Sequence, residues 1–394
     1  MWRFLMLAVV IIAVVITGFS LIDRGDGDVA AQAILQVPPV DSSGYTRAYE
    51  PREWSFPRDH GSHDEYMVEW WYYIGNVVAE DGQRFGFQFT IFRRALNPEP
   101  QPVSAASEWR TRQAFMAHFS LSDLDNGDFY HEERYARGGA GMAGALPNNT
   151  NPDAAFRVWL EDWQAYALND EATVFKIEAD GGDFAVDLTL DQGKPYVLQG
   201  TDGLSQKSDE PGNASQYYSL TRLLTDGTIT INGETFTVAG NAWMDREFST
   251  SALGDDAQGW DWFALQFDDG RELVVGQIRL KEGGARTAYT GTMVYEDGSY
   301  RQLNFDEYEI TPTATWESPH TGAVYPSGWT ITVAADVVRA ENDFALTITP
   351  LMADQELSSG DIAYWEGAVR ISGDATGYGY AELTGYVDSI AGRF

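Results

Sequence analysis

Cysteine is missing from all 394 residues. That excludes disulfides, thiolate metal centres, cysteine nucleophiles and acylation of a lipoprotein cysteine, and leaves burial of apolar surface to hold the fold together. Histidine is scarce, at five, and neither an HExxH zinc helix nor a GxSxG nucleophile elbow occurs. Positive charge is in short supply: 26 Lys and Arg stand against 59 Asp and Glu, a net charge of −33. So acidic a body is repelled by nucleic-acid phosphates and by anionic membrane surfaces, so no nucleic-acid partner is expected. The single GxGxxG, Gly139 to Gly144, follows ERYARG rather than an apolar strand and precedes ALPNNTNP rather than a helix, so it is not a dinucleotide loop. His60 and His63 in HGSH would need carboxylates such as Asp64 and Glu65 to complete a metal site. Neither a metal nor another cofactor is expected.

One long hydrophobic run is present. After Arg3, residues Phe4 to Ile22 are apolar or uncharged, and nineteen residues of helix span about 28 Å, close to a bilayer core. Residues 1–22 therefore read as a hydrophobic helix, either an uncleaved membrane anchor oriented N-in or a secretion signal. Both place the rest of the chain outside the cytoplasm, membrane-anchored or secreted, in a periplasmic setting. Residues 23–59, polar with Pro and Gly, read as a tether.

From about His60 onward, short runs rich in Val, Ile, Thr, Phe, Tyr and Trp alternate with EDGQ, DNGD, TDGT, INGE, DDGR and EDGS. Asn-Gly and Asp-Gly at such spacing signal hairpins, and the long periodicity of helices is missing. The fold class is all-β and antiparallel. EWWYYIGN followed by EDGQRFGFQFTIFRR overlies GWDWFALQFDDGRELVVGQIRL, matching Trp70 and Trp71 to Trp260 and Trp262, Asp81-Gly82 to Asp269-Gly270 and Arg93 to Arg279. Two tandem β-barrels are expected, over residues 60–247 and 248–394, each with room for a small ligand.

Along the strand VEWWYYIG, Met67, Glu69, Trp71 and Tyr73 share one face and Val68, Trp70, Tyr72 and Ile74 the other. Both faces are aromatic, so the strand is covered on both sides and Glu69 must be paired, with Arg93 or Arg94 the nearest candidates, or must touch a ligand. In TFTVAGNAWMDREFS, Trp243, Asp245 and Glu247 share a face, and GWDWF supplies Trp260, Asp261 and Trp262. Indole walls raise the pKa of a carboxyl group and stabilise a cation, a pairing suited to protonating an alkene and capturing the carbocation with water. The same residues also suit structural anchoring at a domain junction. His118 shares a face with Met116 and Ser120, as a satisfied barrel histidine or a ligand contact.

The ordered motifs EWWYYIGN, GFQFTIFRR, MAHFSLSD, LQGTDGLSQK, GNASQYYSLTRL, GNAWMDREFS, GWDWFALQFDDG, SPHTGAVYPSGW and YWEGAVRISG with GYGYAELTGY, from about residue 60 to the end, resemble the AttH-like branch of the carotenoid 1,2-hydratase family. The resemblance implies two lipocalin-like barrels, a hydrophobic lipid or isoprenoid ligand, and an ABC-transporter permease as a partner. In the hydratases it implies cofactor-free addition of water to a terminal isoprenoid double bond; members of the AttH-like branch are often described as secreted hydrolases. The hydratases carry a His and a Trp near the positions of Arg246 and Phe248 here. The candidate acids are Asp245, Glu247 and Asp261, and the candidate ligand contacts Glu69, Trp71, Tyr73, His118, Trp243, Trp260 and Trp262. Three functions remain open: a ligand-binding exported protein, a hydratase or hydrolase acting on the same ligand, or a purely structural adaptor for a membrane complex, with both barrels filled by side chains.

Overall fold

The computed structural model describes residues 42–98, 111–250, 253–254, 256–286, 291–358 and 362–389. The apolar run 1–22 lies outside the described residues. Among those described, no helix is long and apolar enough to cross a membrane.

The alternating patterns form two antiparallel sheets. The first contains β1 (Val68–Ala79), β2 (Arg84–Ala95), β3 (Gln113–Asp123), β4 (Asp128–Arg137), β5 (Ala143–Leu146), β6 (Arg157–Leu160), β7 (Trp163–Ala167), β8 (Val174–Asp180), β9 (Phe184–Gln192), β10 (Val197–Leu198), β11 (Leu204–Gln206), β12 (Ala214–Ile231) and β13 (Glu234–Ser249). The second contains β14 (Ala257–Phe267), β15 (Glu272–Leu280), β16 (Gly291–Val294), β17 (Tyr300–Leu303), β18 (Tyr308–Pro312), then, beyond the separate ribbon β19 (Thr315–Glu317) and β20 (Val324–Pro326), β21 (Trp329–Val333), β22 (Phe344–Pro350), β23 (Glu356–Leu357), β24 (Tyr364–Gly373) and β25 (Gly377–Leu383). Each sheet curls into a nearly closed barrel, which removes most of its exposed edge.

The strand orders repeat. In the first sheet the path runs β4-β3-β2-β1-β13-β12-β9-β8, and in the second β17-β16-β15-β14-β25-β24-β22-β21. The β1–β2 hairpin corresponds to β14–β15, and both turn at glycines with positive φ, Gly82 at 97° and Gly270 at 84°, where a side chain would be strained. Where the barrels pack, β1 lies against β25 and β2 against β24, and the Asn76 amide of β1 donates to the Gly379 carbonyl of β25 at 3.1 Å just as the equivalent Gln266 of β14 donates to the Ala242 carbonyl of β13 at 3.0 Å. The duplication is therefore close to two-fold about the seam.

Neither bore is open. Trp71, Tyr73, Phe85, Phe87, Phe89 and Trp163 help to fill the first, and Phe263, Trp329, Trp365 and Leu346 the second. A third buried cluster, with Tyr72, Ile74, Trp243, Trp262, Ala368 and Tyr380, forms the seam. Residues 42–59, expected as a tether, lie on the first barrel: Ala48 is buried beside Tyr66, Ala214 and Phe248, and Phe56 stacks on Tyr196 at 3.7 Å.

Candidate active site between the barrels

Period-two alternation decides which side chains meet at the seam. On β1, Trp71 and Tyr73 point into the first bore, while Val68, Trp70 and Tyr72 point outward. On β13, Asp245 and Glu247 point outward with Tyr72 and Trp70 as their cross-strand neighbours. The second barrel answers in kind. Trp262 on β14 pairs with Glu382 on β25, and Glu382 pairs with Glu366 on β24. Face-to-face packing of these two surfaces leaves a cavity of about 130 Å³. Its apolar wall is Trp70, Phe92, Trp260, Trp262, Ile278 and Ile362, and its polar groups are Asp245, Glu247, Glu366 and Glu382 with Tyr72, Tyr217, Tyr364, His118 and Lys207.

Four carboxyl groups in one small space cannot all ionise cheaply. Glu247 is held by Lys207, with Nζ 2.6 Å from its Oε1, and by the Ser215 hydroxyl. Asp245 accepts the Trp243 indole N–H at 2.7 Å and the Tyr217 hydroxyl at 2.6 Å, together with the Ser219 hydroxyl. Burial nevertheless outweighs these donors and, with the charge of Glu247, pushes the Asp245 carboxyl up to about 6. Burial and the charges of Asp245 and Glu247 push Glu382 up to about 7, against a lowering contribution from the Trp260 indole. Glu366 is raised furthest, first by burial and then by Glu382. Adjacent on paired strands, Glu366 and Glu382 titrate as a pair. Of the two, Glu366 is the carboxyl group whose protonated form burial and its acidic neighbour favour.

Glu366 is poised on one side only. Its Oε1 is bonded to the Tyr72 hydroxyl, whereas Oε2 has no hydrogen-bond partner of ordinary geometry among the described residues. The Tyr364 hydroxyl, two residues earlier on the same face, is close enough to favour the ionised carboxylate. Around the pair stand indole faces: Trp262 is edge-on to Tyr72 at 5.6 Å between ring centroids and to Trp243 at 6.4 Å. No group of three or more His, Asp or Glu among the described residues is arranged to hold a metal ion.

Of the residues singled out in the sequence, Asp245, Glu247, His118, Trp260 and Trp262 line this cavity. Trp243 supports it from behind through its bond to Asp245. Asp261 turns the other way, onto Arg279 Nε at 2.9 Å and the Tyr386 hydroxyl at 2.9 Å. Trp71 and Tyr73 belong to the first core. Glu69, fully buried, sits between Arg93 and Arg246 and accepts the His63 backbone N–H at 3.1 Å. Burial would raise its pKa, but the two guanidinium groups hold it well below the usual carboxylate range. It is a pinning ion pair, with Asp261–Arg279 as its counterpart in the second barrel. Glu366 and Glu382 were not singled out in the sequence. The signal was there: YWEG and YAEL set a glutamate among aromatic and small residues on strands covered on both sides, as VEWWYY does for Glu69.

The AttH-like family profile matches residues 47–386. The chain belongs to the AttH-like family. A crystal structure of an AttH-designated protein from Nitrosomonas europaea is 34% identical, with a TM-score of 0.74, and the match covers 87% of this chain and 100% of that one. Kievitone hydratase from Nectria haematococca shares the fold at 16% identity and a TM-score of 0.63, over 87% of this chain and 96% of that one. Comparison with curated proteins gives no match. For this AttH-like protein, the two lipocalin-like barrels expected from the sequence are the observed architecture, but the cavity lies between the barrels rather than in a bore.

Proposed function

We propose that this protein binds the branched, unsaturated end of a lipidic or isoprenoid ligand between its barrels and adds water to the double bond without a cofactor. The observation that carries the reading is Glu366, a buried carboxyl group facing an aromatic cavity, whose Oε2 has no hydrogen-bond partner among the described residues and whose pKa burial raises. A cavity of about 150 Å³ admits benzene, so the space suits the end of a chain.

The chemistry balances. The proton of Glu366 passes to the less substituted alkene carbon, the π pair forms the new C–H bond, and a tertiary carbocation remains. Faces of Trp262 and Trp260 stabilise that cation. The Tyr72 and Tyr364 hydroxyls stabilise the Glu366 carboxylate left behind. Water attacks the cation and gives its proton to Asp245, which can take one because its pKa lies near neutrality. That the Nectria haematococca protein is a hydratase supports the reaction class, although the likeness to it is one of fold.

The second reading is a carrier, favoured by the apolar share of the wall. Incubation with acyclic carotenoids and simpler isoprenoids in heavy-oxygen water separates the two. Wild type should incorporate label, and Glu366→Gln should lose it by about a hundredfold or more. Saturable binding without incorporation would leave the carrier standing and end the hydratase reading. Delivery of the ligand on the outer side of a membrane, from a permease, is a further proposal that follows from the N-terminal apolar run, and protease shaving of spheroplasts tests it.

A further inference from the structure

A buried acid that gives its proton away must get another. Behind Glu366 a line of side chains leads out of the seam. The Tyr364 hydroxyl lies 2.7 Å from His118 Nδ1. On the other side of the imidazole, Nε2 is buried without a hydrogen bond among the described residues and lies 3.5 Å from Glu133 Oε2. His118 on β3 and Glu133 on β4 are direct cross-strand partners. The Glu133 side chain is 11% exposed, against 4% for His118, so the line runs from the buried acid towards solvent. Phe92 meets the imidazole edge at 5.5 Å, and Thr90 is its neighbour on β2. His131, on β4 beside Glu133, has its charged form disfavoured first by burial and then by His118 and His320, with Glu133 and Asp354 acting the other way.

We propose that Glu133, His118 and Tyr364 form a proton relay that reloads Glu366 from solvent after each turnover. This rests on the hydratase reading and deepens it. When Glu366 has become a carboxylate, the Tyr364 O–H proton moves to it, the His118 Nδ1–H proton moves to Tyr364, and His118 takes a proton at Nε2 from the Glu133 side. One proton enters and one is delivered, with no oxidant, reductant or co-reactant. Proton exchange of the imidazole with water, one proton lost at Nε2 and one gained at Nδ1, restores the starting tautomer. His118 and Tyr364 act through Glu366 and are positioning residues.

Infrared difference spectroscopy of the full chain tests the relay without a ligand. The band of a protonated carboxyl group should be present in wild type and lost in Glu366→Gln. On transfer to heavy water the wild-type band should shift promptly, whereas His118→Phe, Tyr364→Phe and Glu133→Gln should each slow the exchange about tenfold or more. Imidazole should restore the rate in His118→Ala, which a merely structural role would not permit. Glu133→Gln, on the partly exposed strand β4, guards against loss of the fold in the buried variants. Equal exchange rates in wild type and all three variants would overturn the relay while leaving the acid in place. Absence of the band itself would overturn the hydratase reading, and the relay with it.

Discussion

Glu69 and Glu366 are glutamates on strands buried on both faces, yet their surroundings drive them to opposite states. Glu69 has two guanidinium neighbours and is held as an anion. Its removal leaves Arg93 and Arg246 buried without their carboxylate, so Glu69→Ala should cost about 3 kcal/mol, read as a shift of the urea midpoint. An unchanged midpoint would mean that other acceptors satisfy the arginines. Glu366 has tyrosine hydroxyls and another acid beside it, and the pair is raised. The sign follows from linkage. Because the folded state binds the proton of Glu382 more tightly than the unfolded chain, its contribution is complete below the ordinary value of 4.5 and is lost as pH rises through about 7. Glu382→Gln should therefore gain stability over wild type at pH 8 and little at pH 5, measured by urea unfolding at both. Parallel pH dependence in the two proteins would show that the acid is not perturbed in the fold.

At the scale of strands, the hairpins, the all-β class and the internal repeat were legible because Asp-Gly turns and period-two alternation are local properties. The side of a strand that faces the cavity was not. VEWWYY is aromatic on both faces, and nothing local says that Trp71 and Tyr73 fill a bore while Trp70 and Tyr72 meet the other barrel. Asp261 illustrates the same limit: it is adjacent in sequence to Trp260 and Trp262 but, one residue out of phase with them, turns to Arg279 instead. Arg246 was also illegible as a partner of Glu69, since the β1–β13 pairing that joins them spans most of the first barrel. Glycine at the seam has its own meaning. A Cβ at Gly86 on β2 would meet the Tyr380 hydroxyl at 2.6 Å and the Ala368 Cβ at 3.0 Å, both on the second barrel. Gly86→Val should push the barrels apart at that point and cost about 2 kcal/mol by thermal unfolding. A variant as stable as wild type would show that the seam is looser than its packing implies.

For the molecule as a whole, the pseudo-two-fold seam brings equivalent surfaces together, and with them their acids. Asp245 and Glu382 hold matching places on β13 and β25, next to Tyr72 on β1 and Trp262 on β14. A surface that packs against its own equivalent doubles whatever charge it carries, so a single acidic position becomes a cluster. Against four carboxyl groups the cavity wall offers one lysine, and Glu247 already engages it. Such a cavity should prefer a cation shaped like the carbocation of the proposed reaction, that is, a tertiary ammonium ion bearing a branched alkyl chain. Binding should strengthen from pH 5 to pH 8, because Asp245 and Glu382 lose their protons near 6 and 7 while the amine stays charged. A bound cation lowers those raised values, so complex formation near pH 6.5 should release protons, seen in calorimetry as a heat that varies with the ionisation enthalpy of the buffer. The neutral alcohol of the same shape should bind at least about tenfold more weakly at pH 8. Equal affinity for amine and alcohol, with no proton release, would show that the seam holds its ligand by apolar contact alone and that its acids are not placed to stabilise positive charge.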